Sequence, residues 1–253
     1  MKKNYQNFKI IIEESYESIC GVTADIIAKF ISAKPDGVLG FATGSTPLGV
    51  YSRLSELHKA GKADFAHIKS FNLDEYHPIE KTDSQSYNYY MNDNLFSHIN
   101  IDPKNIGLPN GAAKDALAEC TAYEQKISDA GGIDLQLLGL GHNGHIGFNE
   151  PSAIFSKTTH YTPLTESTIT ANSRLFASPD MVPKHAITMG IGTIFSAKQI
   201  LLLICGESKA DIVEKVLFGD IDPMVPGSIL QLHPDVTLLM DAAASKKVAG
   251  RLR

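Results

Sequence analysis

Ile133-Asp134-Leu135-Gln136-Leu137-Leu138-Gly139-Leu140-Gly141-His142-Asn143-Gly144-His145-Ile146-Gly147-Phe148-Asn149-Glu150-Pro151 makes two statements in one stretch. Residues Ile133 to Leu140 form a short, nearly continuous apolar run, the pattern of a strand buried on both faces. From Gly139 to Pro151 the chain turns glycine-rich and delivers histidine, asparagine and glutamate in quick succession. A buried strand that ends this way presents chemistry at its carboxyl end, where open parallel α/β sheets place their ligands.

The same rhythm extends in both directions. Phe8 to Glu13 reads as a strand, Ser15 to Ala33 as an amphipathic helix stopped by Lys34-Pro35-Asp36-Gly37, and Val38 to Ala42 as a short buried strand. A helix follows Thr43-Gly44-Ser45-Thr46-Pro47 and runs to Lys59. Next come a strand from Ile68 to Leu73 and helices from Ser86 to His98 and Lys114 to Ala130. Beyond the quoted stretch, Ile200 to Cys205 is a strand, Gly206-Glu207-Ser208-Lys209 opens a helix to Phe218, and Val236 to Met240 is a last strand. Strands separated by helices require right-handed crossovers and predict an α/β fold with a mainly parallel central sheet covered on both faces. With no linker or internal repeat, residues 1–253 read as one domain.

Composition narrows the partners. The 253 residues are 43% apolar, enough for a sizeable core, and 23 basic against 28 acidic side chains give a net charge of −5. Without a basic stripe, nucleic acid is excluded as a partner. No apolar run approaches the roughly 18 residues of a membrane-spanning helix, and Met1-Lys2-Lys3-Asn4 leads into a strand rather than a signal peptide. The expectation is a cytoplasmic protein with no membrane partner. Cys20, Cys120 and Cys205 are far apart and form no Cys-x-x-Cys pair, so they read as buried thiols.

Four loops at strand ends carry polar groups. In Thr43-Gly44-Ser45-Thr46-Pro47, glycine permits close backbone approach and proline suits the first helical position. Free amides and hydroxyls at a helix amino end make a phosphate site, unless this is an ordinary turn capped by Thr46. It is neither a Walker loop nor a dinucleotide fingerprint. In Phe71-Asn72-Leu73-Asp74-Glu75-Tyr76 a strand runs into two acids, which either cap the next turn or supply a base toward a carbon acid. In the opening stretch His145 and Glu150 lack the spacing of a helical zinc pair, so no metal is expected. A proton-shuttling histidine oriented by an acid or amide fits better, with His142 the weaker candidate. The fourth loop set is Arg174 in Ala171-Asn172-Ser173-Arg174 and Lys209 in Gly206-Glu207-Ser208-Lys209. A cation in a first helical turn opposes the macrodipole, and a phosphate shared with the Thr43 loop would rationalise it.

In order and spacing, Ala42 to Pro47, Phe71 to Tyr76, Gly144 to Pro151, Ala171 to Arg174 and Gly206 to Lys209 together resemble the glucosamine-6-phosphate deaminase (isomerase) family over nearly the whole chain. The resemblance implies a Rossmann-like three-layer α/β sandwich that converts glucosamine 6-phosphate and water to fructose 6-phosphate and ammonia, without metal or organic cofactor. It implies that Asp74 moves a proton between C2 and C1, that His145 serves ring opening, and that Asn143 and Glu150 orient that histidine. Thr43, Gly44, Ser45, Thr46, Arg174 and Lys209 would hold the phosphate, with Glu75 and Tyr76 in support.

Two departures stand out. Asn143 replaces the aspartate of several members, and His160 and Thr162 stand where allosterically activated members carry basic residues, so little or no such activation is expected. The nearest competing reading is a galactosamine-6-phosphate deaminase/isomerase. A 6-phosphogluconolactonase would not need the Asp74-Glu75 block, and a non-catalytic sugar-phosphate-sensing domain would normally follow a DNA-binding domain. Single-chain and homo-oligomeric forms are both open, and Ser152 to Thr165 is the candidate lid.

Overall fold

Ser15 closes the amino end of the first long helix, its hydroxyl accepting from Ser18 N at 3.2 Å, and buried positions Ile19, Cys20, Thr23, Ala24, Ile27, Ala28 and Ile31 recur at helical spacing along one face. The same logic of caps, apolar faces and apolar strand runs sets the remaining elements of the computed structural model, which describes residues 8–173 and 181–252. In chain order they are β1 (Phe8–Glu13), α1 (Tyr16–Ala33), β2 (Val38–Phe41), α2 (Leu48–Lys59), β3 (Lys69–Asn72), β4 (Asp74–His77), α3 (Tyr87–Asn94), β5 (Ile106–Gly107) and α4 (Ala116–Asp129). There follow β6 (Leu135–Gly139), β7 (His160–Pro163), α5 (Glu166–Ser173), β8 (His185–Thr188), α6 (Ile191–Phe195), β9 (Gln199–Ile204), α7 (Ala210–Phe218), β10 (Val236–Asp241) and α8 (Ala242–Ser245).

Seven strands form one parallel sheet in the order β1-β10-β9-β6-β2-β3-β5. One face is covered by α4, α6 and α7 through Tyr123, Ile127, Ile194, Val213 and Leu217. The other is covered by α1, α2 and α3 through Ile27, Ile31, Tyr51, Leu54 and Met91. The molecule is therefore the expected three-layer α/β sandwich. Both faces of the central strands are dry, which is why Ile200 to Ile204 is buried at every position. After β2 the chain builds outward through β3 and β5, and it then returns to add β6 on the other side of β2. That reversal opens a crevice above the carboxyl ends of β2 and β6.

The sequence reading differs from the structure in several places. A second, antiparallel sheet, β4-β8-β7, sits beside the first. Asp74 and Glu75 therefore lie in a strand rather than capping a turn. Its strands are four residues long and β4 and β7 are largely polar, and what holds them is pairing on the buried β8 and the small cluster of Tyr76, Phe148, Leu164 and Ala186. Four residues of the candidate lid, His160 to Pro163, are strand β7. Pro47 occupies the N-cap position of α2, displacing both the expected Thr46 cap and the expected first-turn place for proline. The helix read from Ser86 to His98 stops at Asn94, with a single 3-10 turn at Phe96–His98.

Candidate active site

All strands of the main sheet are parallel, so the segments following β9, β6, β2 and β3 emerge at one edge, side by side in that order. Neighbouring strands stand about 4.8 Å apart, which puts four strand ends within the span of one sugar phosphate and its surroundings.

The loop after β6 is folded on itself. Gly141 N donates to His145 O at 2.9 Å, Gly144 N donates to Gly141 O at 3.1 Å, and Gly227 N donates to Gly144 O at 2.7 Å. At Gly141 a Cβ would stand 2.3 Å from the His145 ring, so the imidazole lies flat against backbone that only glycine can offer. Glu150 is the hub. Asn143 Nδ2 donates to its Oε2 at 2.6 Å, Thr168 Oγ1 donates to its Oε1 at 2.8 Å, and His145 Nδ1 stands 3.2 Å from Oε1. The last contact is close but lacks the alignment of a hydrogen bond. Asn143 Oδ1 also accepts from His145 N at 3.2 Å, so the asparagine bridges acid and histidine backbone. Burial pushes the Glu150 carboxyl up, but His145, Asn143 and Thr168 outweigh it and hold the group down at about 2.

Gly147 joins this loop to Asp74. It has φ +58°, and a Cβ there would lie 3.0 Å from Thr188 Oγ1 and 3.3 Å from Asp74 Oδ2. Asp74 pairs with Thr188 across β4 and β8, and the Thr188 hydroxyl accepts from Phe148 N at 3.1 Å. The histidine loop therefore passes directly over the Asp74 carboxyl. Asp74 is 5% exposed, and burial, then the charge of Glu75, pushes it up to about 8. The adjacent residue points the other way. Glu75 accepts from Tyr76 N, Tyr87 N and Asn88 N at 2.8 to 2.9 Å. Burial still raises it, to about 7, against those three donors.

In the loop after β2, the carbonyls are tied back by phenols. Tyr90 OH donates to Gly44 O at 2.6 Å, Tyr16 OH donates to Ser45 O and Thr46 O at 3.2 and 3.1 Å, and Tyr51 OH donates to Ala42 O. Because a trans peptide sets its N–H opposite its C=O, the amides of Ser45 and Thr46 face away from those phenols. No side chain caps α2, so the amides at its amino end are open to an acceptor from outside the helix.

Lys209 is the N-cap of α7 and ends a 3-10 turn, one step before the helical turn expected for it. Its Nζ donates to Leu140 O at 2.7 Å, at the end of β6, which carries the ammonium one strand toward the β2 loop. Burial pushes it down to about 8, and among the described residues no carboxylate pairs with it. Arg174 lies outside the described residues. His142 is exposed, and its imidazole is pushed down by burial and then by Lys209.

Sequence reasoning missed Thr168, Thr188, Gly141 and the bracing tyrosines. Thr168 had a usable signal: Thr165-Glu166-Ser167-Thr168 opens α5, and the Thr165 hydroxyl accepts from Thr168 N at 3.3 Å. Nothing in the sequence pairs Thr188 with Asp74. Among the described residues, no group of three or more histidine, cysteine or carboxylate side chains is arranged to hold a metal.

A parallel α/β sheet whose strand ends gather a buried carboxyl, a histidine–glutamate pair and an anion-ready loop defines a Rossmann-like α/β enzyme. The chain belongs to the family described as glucosamine-6-phosphate isomerases/6-phosphogluconolactonase, whose profile matches residues 12–239. A glucosamine-6-phosphate deaminase of Clostridium botulinum (strain Loch Maree / Type A3) is 50% identical over 240 residues, 95% of this chain and 98% of that protein. One of Clostridium novyi (strain NT) is 51% identical over 240 residues, 95% of this chain and 100% of that protein. The solved structure of a monomeric glucosamine-6-phosphate deaminase superposes with a TM-score of 0.92 at 49% identity, covering 94% of this chain and 99% of that chain.

Proposed function

We propose that this protein is an amino-sugar phosphate deaminase/isomerase that converts glucosamine 6-phosphate and water to fructose 6-phosphate and ammonia. The observation that carries the reading is the meeting of Asp74 and the His145–Glu150 pair at Gly147, a carbon base and a ring-opening acid–base group held by one loop. Near-full-length identity of about half to curated deaminases supports the same reaction.

The chemistry follows from the groups. His145, steadied by Glu150 and Asn143, passes a proton between the C1 hydroxyl and the ring oxygen, which opens the sugar. Asp74 then takes the C2 proton and delivers it to C1, through an enolamine. The resulting C2 iminium adds water and releases ammonia, so the atoms of substrate and water are all accounted for. A carboxyl pushed up to about 8 is a base strong enough to take a carbon-bound proton and weak enough to return it. Thr43, Gly44, Ser45, Thr46, Lys209 and Arg174 are proposed to hold the phosphate, while Glu75 and Tyr76 support Asp74. Lactone hydrolysis, the other activity in the family description, needs no carbon base.

The solved relative described as monomeric supports a monomer as the working unit. A phosphorylated sugar does not cross membranes unaided, so the enzyme meets it in the cytoplasm. His160 and Thr162 sit on β7 without a permanent positive charge, which fits little or no activation by an acetylated sugar phosphate. The test is an assay of purified protein with glucosamine 6-phosphate and, separately, its galacto epimer, following ammonia and ketose phosphate. Turnover of the gluco substrate is expected. Turnover of the epimer alone would move the assignment to galactosamine 6-phosphate, and turnover of neither would end it.

A further inference from the structure

Successive residues of a strand face opposite sides, so Asp74, facing Gly147, leaves Glu75 facing away from the substrate side. Glu75 is 1% exposed and lies against the amino end of α3, where it accepts from Tyr87 N and Asn88 N as well as from Tyr76 N. A side-chain cap for that helix already exists, since Ser86 Oγ accepts from Tyr89 N. That hydroxyl serves only the Tyr89 amide, and Glu75 takes the other two first-turn amides, those of Tyr87 and Asn88, from outside the helix. What Glu75 adds is a tie between α3 and the strand that bears Asp74.

The surroundings leave Glu75 as the charge that acts on Asp74. The phenols near enough to feel the charge of Asp74 are Tyr51 of α2, Tyr87 of α3, Tyr123 of α4 and Tyr76 of β4. Burial first of all pushes every one of them well up, Tyr76 to about 12. They are neutral where the enzyme works. Across the Gly147 backbone lie His145 and Glu150, which neutralise one another whenever the histidine is protonated. Around Glu75 itself, Asp83 adds a like charge, and Glu80 and Lys81 share with it a cleft of about 450 Å³ on the far side of β4. Glu75 thus stands between that cleft and Asp74.

We infer that Glu75 is a positioning residue for the proton transfer: by clamping β4 to the amino end of α3 it fixes where Asp74 stands, with its own charge on the residue next along the strand. This rests on the deaminase reading for its catalytic meaning, although the effect on Asp74 is measurable without turnover. At neutral pH the neighbouring charge keeps a proton on Asp74 for longer as pH rises, and the rigid clamp keeps the carboxyl beneath Gly147.

The experiment follows Asp74 by carboxyl-carbon NMR across pH, its signal assigned by loss in Asp74→Asn, in wild-type and Glu75→Gln protein, alongside kcat and KM profiles. Removal of the charge should lower the Asp74 midpoint and the acidic limb of kcat/KM by on the order of one pH unit. A folded Glu75→Gln protein with an unmoved midpoint overturns the inference. If that variant does not fold, Glu75→Asp decides, since it keeps the charge but retracts the clamp by one methylene. The limb should then stay in place while kcat falls about tenfold or more, with KM changed by less than about threefold. A wild-type kcat, or a change confined to KM, overturns it. Should wild-type protein turn over neither amino-sugar phosphate, the deaminase reading has failed, and the NMR midpoint still judges the clamp.

Discussion

Lys209 is a cation held in a place that disfavours its charge, half-buried against a carbonyl and pushed down to about 8. An anion docked beside it removes that penalty and draws the ammonium back toward its ordinary range. Binding of inorganic phosphate near pH 8 should therefore take up a fraction of a proton, seen in calorimetry as a binding enthalpy that varies with the buffer's ionisation enthalpy. A buffer-independent enthalpy would remove Lys209 from the anion site. The carboxyls carry opposite signs. Asp74, raised from 3.8 to about 8, favours the fold fully below pH 3.8 and loses that contribution as pH rises through about 8. Glu150, lowered from 4.5 to about 2, contributes above pH 4.5 and loses it as pH falls through about 2. The neutral range is thus where the site keeps Glu150 charged while burial still resists ionisation of Asp74.

At the scale of elements, the histidine loop and the small antiparallel sheet make the site. Gly141 has ordinary backbone angles, and the group a methyl would strike is the movable His145 ring. Gly141→Ala should therefore leave the fold intact, with Tm changed by only a few degrees, while kcat falls about a hundredfold through displacement of the imidazole. Unaltered kcat would show that the ring need not lie against that backbone. The two-residue edge strand β5 is too short to carry a pattern. The other six of the seven main-sheet strands were legible, Ile133 to Leu140 and Ile200 to Cys205 most plainly because they are apolar runs closed by glycine. The strands β4, β7 and β8 were not. Asp74-Glu75-Tyr76-His77 and His160-Tyr161-Thr162-Pro163 lack strand composition and exist by pairing with β8, a tertiary fact no local pattern carries. For the same reason Asp74, His145 and Glu150 were legible as candidates, whereas Thr168 and Thr188, which hold them together, became visible only in three dimensions.

Over the whole molecule the two edges of the sheet are divided between stability and chemistry. At the amino edge Asp134 accepts from Lys34 Nζ, Lys198 Nζ and Val38 N at 2.7 to 2.9 Å, fastening β6 to β2 and the turn before β9. Asp134→Ala should lower stability by about 1 to 3 kcal/mol in denaturant unfolding, with kcat and KM unchanged. A loss of activity at unchanged stability would contradict the division. At the carboxyl edge four strand ends converge, and the account stands on the claim that Asp74 is the carbon base toward which they converge. The most direct test is Asp74→Asn assayed for ammonia release and for exchange of the C2 hydrogen of glucosamine 6-phosphate with solvent, with substrate affinity measured separately. Loss of both by at least about a hundredfold, with affinity within about threefold of wild type, is the predicted result. Wild-type exchange and ammonia release in the variant would contradict it.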